Sequence, residues 1–260
     1  MLEDKIKYSI ELLRRHEPTA LKMNPDGYYV AFSGGKDSQV IYELCKMAGV
    51  KFKAYFNCTT VDPKEVLRFI HSKYPDVIWH RPEKSIFKLI EEKGILPQRY
   101  LRFCCRILKE RSAGLGYITI IGVRRAESKN RSKTKEISFQ CIKGNDKITL
   151  CPILDWSTKE VWEFIKKQIG SYCELYDKGF CRIGCILCPV VGSYKKKQRE
   201  LKIAPRFEYA YKKAIKKCMA NGSYAQFEDE NEVFDWWIRG KSMKQYFADK
   251  LQLKLSLASD

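Results

Sequence analysis

Apolar residues recur along this chain with two periods, and the alternation of those periods predicts the architecture. Between residues 3 and 16, Ile6, Ile10 and Leu13 fall at helical spacing and predict an amphipathic helix. Asn24-Pro25-Asp26-Gly27 reads as a turn. Tyr28 to Phe32 is a short apolar run that suits a buried strand. A glycine loop follows, then a helix with Val40, Ile41, Leu44 and Met47 on one face, closed by Gly49. Phe52 to Phe56 reads as a second strand. Asp62-Pro63 opens another helix, with Asp62 as its cap and Pro63 at its first position. Val77 to Trp79 predicts a third short strand, Ser85 to Glu92 a helix, and Tyr117 to Gly122 a further strand. Cys141 and Cys151 flank a predicted hairpin and read as core. Trp156 to Ile169 predicts a helix started by Ser157 or Thr158. Strands alternating with helices imply an α/β fold with a parallel, Rossmann-like sheet covered on both faces.

The character changes at Tyr194. Lys195-Lys196-Lys197 starts a lysine- and aromatic-rich helical region that runs to about Leu253. The expected organisation is therefore an α/β domain over 1–192 and a basic helical appendage over 193–260. Hydrophobic content of 45% allows a sizeable core. No apolar run is long enough to cross a bilayer. The start, Met1-Leu2-Glu3-Asp4-Lys5, lacks the apolar stretch of a secretory signal, so the expected location is cytoplasmic, without a membrane partner. A net charge of +18 implies polyanionic partners: nucleotides, nucleic acid, or both. Composition does not specify the oligomeric state.

The candidate chemistry begins at Ser33-Gly34-Gly35-Lys36-Asp37-Ser38, between a predicted strand and a predicted helix. Two adjacent glycines let the backbone turn tightly and gather several N–H groups at one point. The helix N-terminus adds partial positive charge, Lys36 a full one, and Ser33 and Ser38 add hydroxyls. Together these make a cradle for phosphate. The spacing differs from the Walker pattern, whose glycine loop is longer.

Ser-Gly-Gly-Lys-Asp-Ser resembles the PP-loop of the adenine nucleotide alpha-hydrolase superfamily, and the chain looks like the phosphoadenosine phosphosulfate (PAPS) reductase family within it. Further segments agree in order. Gly122-Val123-Arg124-Arg125-Ala126-Glu127-Ser128, with Arg131, resembles the family's arginine motif. Pro152-Ile153-Leu154-Asp155-Trp156, with Val161-Trp162, resembles its Pro-x-x-x-Trp…Val-Trp segment. Leu175-Tyr176 and Gly179, ahead of Arg182-Ile183-Gly184-Cys185, resemble its approach to a Cys-x-x-Cys. The resemblance covers residues 28 to 192. It implies that Ser33 to Ser38, Arg124, Glu127 and Arg131 bind an adenine nucleotide, either ATP or a sulfonucleotide (APS or PAPS). Arg124 and Arg131 carry planar forks suited to oxyanions, and Glu127 orients Arg124 or binds a metal. Asp37 either fixes the loop or holds Mg²⁺. The reacting end would be served by Lys36, Asp37, Arg124 and Cys181.

Eleven cysteines in a chain without a secretory signal argue for metal or redox chemistry over a disulfide framework. Cys45 and Cys58 read as core. Cys104-Cys105 is a vicinal pair, and Cys185-Ile186-Leu187-Cys188-Pro189 is a Cys-x-x-Cys with Cys181 just before it. Four thiolates from two sites suit a [4Fe–4S] cluster or tetrahedral zinc, and the alternative is buried or redox cysteines without metal. The resemblance to APS-type reductases implies the cluster, with Cys104, Cys105, Cys185 and Cys188 as ligands and Cys181 as an extra thiol that could replace one member of the vicinal pair.

Sulfonucleotide reductases use a cysteine in a C-terminal Glu-Cys-Gly-Leu-His segment, and no cysteine follows Cys218 here. The resemblance therefore extends to the nucleotide site and not to the usual nucleophile. Three expectations follow. In the first, ATP α,β-cleavage drives sulfur transfer, with nucleic acid, DNA or RNA, as acceptor and a separate protein as sulfur or electron donor. Trp236, Trp237, Arg239, Lys241 and Lys244 would then contact bases and phosphates, although at least one of the two tryptophans is expected to pack the tail. In the second, the chain is a PAPS or APS reductase with a relocated nucleophile, Cys181 or Cys218. In the third, it is a nucleotide-sensing or nucleic-acid-binding accessory module without turnover.

Overall fold

The computed structural model describes residues 1–110, 114, 116–142, 145–190 and 193–257. The described residues fall into two compact units: Met1–Cys58 with Asp62–Arg81 and Leu108–Gly184, and Thr59–Val61 with Pro82–Ile107 and Cys185–Asp260. Among the described residues, no helix is long and apolar enough to cross a membrane.

The first unit is built on a six-stranded sheet. Its strands are β1 (Tyr28–Phe32), β2 (Phe52–Asn57), β3 (Ile78–His80), β4 (Ile118–Ile120), β5 (Ile137–Ile142) and β6 (Asn145–Leu150). Their order is β3-β2-β1-β4-β6-β5. All pairings are parallel except the β5–β6 hairpin. Tyr28, Val30 and Phe32 of β1 are buried, and the Tyr28 hydroxyl donates to the Leu13 carbonyl at 2.6 Å. Helices α1 (Leu2–Met23) and α2 (Lys36–Ala48) pack on each other and on β1. Burial of Leu12, Leu13, Ile41 and Leu44 supplies the main apolar drive for that layer.

Helix α1 runs seven residues beyond the expected end and carries Pro18 inside it. An interior proline costs about 3 kcal/mol through its missing N–H and its clash with the preceding turn. Continuing the helix keeps Ala20 fully buried against the unit. Met47, expected on the buried face of α2, is exposed. Helix α3 (Lys64–Lys73) begins one residue later than expected. Pro63 takes the cap position, so Asp62, buried beside it, is not the cap. Helix α6 (Thr158–Phe164) starts from Ser157, whose hydroxyl accepts the Glu160 N–H, and it continues as one wide π-helical turn over Ile165–Ile169. Cys45 and Cys151 are buried as expected, Cys58 is half-buried, and the Cys141 side chain lies outside the described residues.

The second unit is helical: α4 (Ile86–Lys93), the single turn α5 (Phe103–Cys105), α7 (Tyr194–Ile203), α8 (Arg206–Ala220), α9 (Glu230–Arg239) and α10 (Met243–Leu257). Helix α8 packs on α4 and α9. At least one of the two tryptophans is expected to pack the tail, and both are core residues. Trp236 is 6% exposed and Trp237 3%, and the Trp237 indole N–H donates to the Pro97 carbonyl at 2.7 Å. Their spacing on an amphipathic helix decides this, because α9 turns Val233, Phe234, Trp236, Trp237 and Ile238 inward. Arg239 and Lys241 remain on the outside, paired with Asp235 and Asp249.

Candidate active site

The strand order reverses beside β1. The chain leaves β1 for β2 and β3 on one side and returns to β4 on the other. Ligands of open α/β sheets gather at such a reversal, outside the carboxyl ends of the strands. The two segments that emerge there are Ser33 to Ser38, after β1, and Gly122 to Arg131, after β4.

Two glycines make this junction possible. Gly34 has φ +70°, and a Cβ there would lie 2.9 Å from Ile70 Cγ1. Gly122 approaches so closely that its Cβ would lie 3.0 Å from the Asp37 backbone. The loop then bonds to itself. Ser38 Oγ accepts from the Ser33 N–H at 3.2 Å and donates to the Gly35 carbonyl at 2.8 Å, and Ser33 Oγ accepts from the Gly35 N–H at 3.4 Å. The Lys36 N–H, first of α2, donates to the Tyr176 hydroxyl at 2.8 Å.

Asp37 is held between two cations. One carboxylate oxygen takes Arg124 Nε at 2.7 Å and the other takes Lys36 Nζ at 3.2 Å. Arg124 is only 2% exposed, and its Nη1 donates to the Trp156 carbonyl at 3.3 Å and to Thr158 Oγ1 at 3.2 Å. The buried Pro-x-x-x-Trp segment therefore works on the site through Arg124. Glu127 accepts from the Arg124 backbone N–H at 3.3 Å and pairs with Arg131, whose guanidinium is partly exposed. Burial pushes the Arg131 pKa down, and the neighbouring Arg182 cation pushes the same way.

Lys36 Nζ also donates to the Cys181 carbonyl at 3.3 Å, and Cys181 itself is exposed. Lys36 Nζ lies 5.8 Å from the Tyr176 ring centroid. In the sequence, Tyr176 and Arg182 stand only as motif neighbours without a role. Their place beside the loop comes from the turns of residues 173–182, which no periodicity announces. Cys218, the other candidate for a relocated nucleophile, does not fit that role. It is fully buried, its thiol donates to the Ile90 carbonyl at 3.4 Å, and burial pushes its pKa up.

The four cysteines expected to bind metal all belong to the second unit. Composition groups them with the first 192 residues, whereas packing groups them with the helices. Cys185 donates to Thr59 Oγ1 at 3.3 Å, and the Ile186 N–H donates to the Val61 carbonyl at 2.8 Å. The buried Glu200 of α7 accepts the Leu187 N–H at 2.8 Å, where Leu187 takes φ +57° between the two cysteines. Lys197, also buried, donates to the Ile238 carbonyl at 3.0 Å. In the sequence both charges belong to a basic, polar run, and only burial reveals that α7 supports the Cys-x-x-Cys turn. A hydrogen bond to Cys105, then burial and the Cys105 and Cys185 thiols, push the Cys104 thiol pKa well up. Tyr211 is raised too, by burial first and then by the Cys185, Cys104 and Cys188 thiols. Soft donors of this kind suit iron or zinc. Among the described residues, no group of three or more His, Cys, Asp or Glu is arranged to hold a metal ion.

Comparison with known proteins agrees with this geometry. The profile of the phosphoadenosine phosphosulfate reductase domain matches residues 27–191. The uncharacterized protein MJ0066 of Methanocaldococcus jannaschii is 33% identical over 186 residues, 66% of this chain and 38% of that protein. The chain thus spans about two fifths of the length of its archaeal relatives. Adenosine 5'-phosphosulfate reductase of Bacillus cereus is 30% identical over 202 residues, 72% of this chain and 81% of that enzyme. The structure of Candida glabrata FMN adenylyltransferase with FAD and pyrophosphate matches the fold at a TM-score of 0.52 and 18% identity, covering 71% of this chain and 64% of that one. Because that profile covers more than half of the chain and an adenosine 5'-phosphosulfate reductase is 30% identical over 72% of it, the chain belongs to the phosphoadenosine phosphosulfate reductase domain family, within the adenine nucleotide alpha-hydrolases.

Proposed function

We propose that this chain cleaves ATP between the α- and β-phosphates to activate an acceptor, and that it moves sulfur to that acceptor, a nucleic acid. One observation carries the reading: Lys36 Nζ of the phosphate loop donates to the carbonyl of Cys181, an exposed cysteine. A thiol-bearing residue thus sits beside the anion cradle, where an activated acceptor would be presented. Ser33 to Ser38 receive the phosphates. Arg131 and Arg182 have access to solvent and serve the outer anion. Arg124 acts through Asp37 as a positioning residue. Both Asp37 oxygens are already engaged by Lys36 and Arg124, which supports the loop-fixing role, because binding Mg²⁺ would require releasing one of them.

Cys104, Cys105, Cys185 and Cys188 would hold a [4Fe–4S] cluster, with zinc as the alternative. The cluster would supply thiolate-bound iron and sulfide for electron or sulfur handling. The +18 charge supports a nucleic-acid acceptor. The likeness to APS reductase favours a second reading, reduction of a sulfonucleotide. With Cys218 buried, its nucleophile would be Cys181.

Pyrophosphate exchange into ATP that depends on added DNA or RNA is the result expected. Sulfite release from APS or PAPS with thioredoxin would sink sulfur transfer and establish the reductase. Nucleotide binding with neither reaction would leave an accessory module. Anaerobic purification is expected to give a brown protein with equal iron and sulfide, and a colourless zinc-loaded protein would overturn the cluster.

A further inference from the structure

The geometry points to Tyr176 as a phosphate-binding residue that relays the first amide of helix α2 to the anion. This rests on the nucleotide-binding reading of the loop. The amides at a helix N-terminus are the usual donors to a bound phosphate. Here the foremost of them, the Lys36 N–H, is already committed to the Tyr176 hydroxyl at 2.8 Å. Two further loop amides, those of Ser33 and Gly35, are bonded within the loop, by Ser38 Oγ and Ser33 Oγ. Tyr176 is the partner that comes from elsewhere in the chain.

The hydroxyl is also placed at the loop's mouth. It lies 3.5 Å from where a Cβ on Gly35 would stand. A phenol accepts and donates at once. Having accepted from Lys36, Tyr176 keeps its own proton for donation, and among the described residues no acceptor for that proton is found. Neighbours hold the ring in place. Trp162 packs edge-on at 4.9 Å, and the Lys36 ammonium stands 5.8 Å from the ring centroid. Burial pushes the phenol pKa up, so the donor stays protonated across the physiological range. Accepting a hydrogen bond from the positive end of a helix strengthens the O–H as a donor. Tyr176 thus extends the helix dipole toward the anion by one side chain.

The opposite outcome is equally concrete. If the phosphate needed the Lys36 amide itself, it would have to displace the hydroxyl, and Tyr176 would compete with the ligand. The variant Tyr176→Phe separates the two, because it keeps the ring and removes only the oxygen. Binding of ATP, inorganic pyrophosphate and adenosine to the full chain would be measured by calorimetry, with thermal unfolding as the check on folding. A hydrogen bond to a charged group predicts affinity for ATP and pyrophosphate at least about ten-fold weaker in the variant. Affinity for adenosine, which lacks the anion, is expected to be unchanged. Equal or tighter ATP binding by Tyr176→Phe would overturn the inference while leaving the nucleotide reading intact. Failure of the unsubstituted protein to bind either phosphate ligand would overturn both.

Should Tyr176→Phe fail to fold, 3-fluorotyrosine at position 176 provides the second arm. Its more acidic phenol is a stronger donor, so pyrophosphate is expected to bind more tightly, and weaker binding would refute the donor role.

Discussion

Arg124→Met tests whether the arginine segment acts on the site through Asp37. The substitution keeps an unbranched side chain of similar reach and removes the guanidinium. Three hydrogen bonds go with it, to Asp37 Oδ1, the Trp156 carbonyl and Thr158 Oγ1. Removing one partner of a fully buried pair costs about 3–5 kcal/mol. Asp37 is 18% exposed and keeps Lys36 at 3.2 Å, so part of its charge stays compensated. The expected loss is therefore about 2–3 kcal/mol, or a fall of roughly 5–10 °C in the unfolding midpoint of the sheet-bearing unit. ATP affinity should fall with it, because Asp37 would be free to swing toward the phosphates. Urea and thermal unfolding read the first effect and calorimetry the second. A double variant, Arg124→Met with Asp37→Leu, should recover much of the stability and none of the binding, since an apolar pair can replace a buried ion pair. The reasoning fails if Arg124→Met costs under about 1 kcal/mol, or if the two substitutions are simply additive.

Gly34→Ala is expected to weaken nucleotide binding strongly and to destabilise by about 1–3 kcal/mol, through a left-handed backbone and a clash with Ile70; unchanged affinity would contradict the tight-turn account. Cys218→Ala should leave turnover unchanged and only lower the unfolding midpoint, whereas Cys181→Ala should abolish sulfur transfer. Assays on the two variants side by side would expose the opposite assignment. Glu160 ties α6 to α1: burial pushes its pKa up, but hydrogen bonds from Lys5 and Ser157 outweigh it and bring the value down to about 2. A carboxylate held below its ordinary 4.5 stabilises the fold above that pH, and the contribution disappears as pH falls toward about 2. Glu160→Gln should flatten the acid limb of the stability profile, and an unaltered limb would reject the linkage.

Many of the local decisions were legible in the sequence, although the end of α1 and the cap of α3 were not. Short apolar runs separated by amphipathic stretches place the strands β1, β2 and β4 and the helices between them, because backbone periodicity is a local property. Ser85 and Ser157 cap helices at the starts that the sequence predicts, since a cap bond spans three residues. The phosphate loop was legible for the same reason: tight glycine turns and a helix N-terminus are written in six consecutive residues. Even the order of the motifs along the chain identified the family.

Tertiary structure decided everything that depends on which side of an element faces inward or on which distant segment arrives. It turned Trp236, Trp237 and Cys218 into core, removing the remaining stacking surface and one nucleophile. It committed Arg124 to Asp37 instead of to solvent. It drew Lys197 and Glu200 out of a run that reads as solvated charge and set them behind the Cys-x-x-Cys turn. It also brought Tyr176 across 140 residues of chain onto the Lys36 amide. The physical reason is common to these cases. Burial and long-range hydrogen bonds depend on the packing of whole units, and no window of neighbouring residues carries that information.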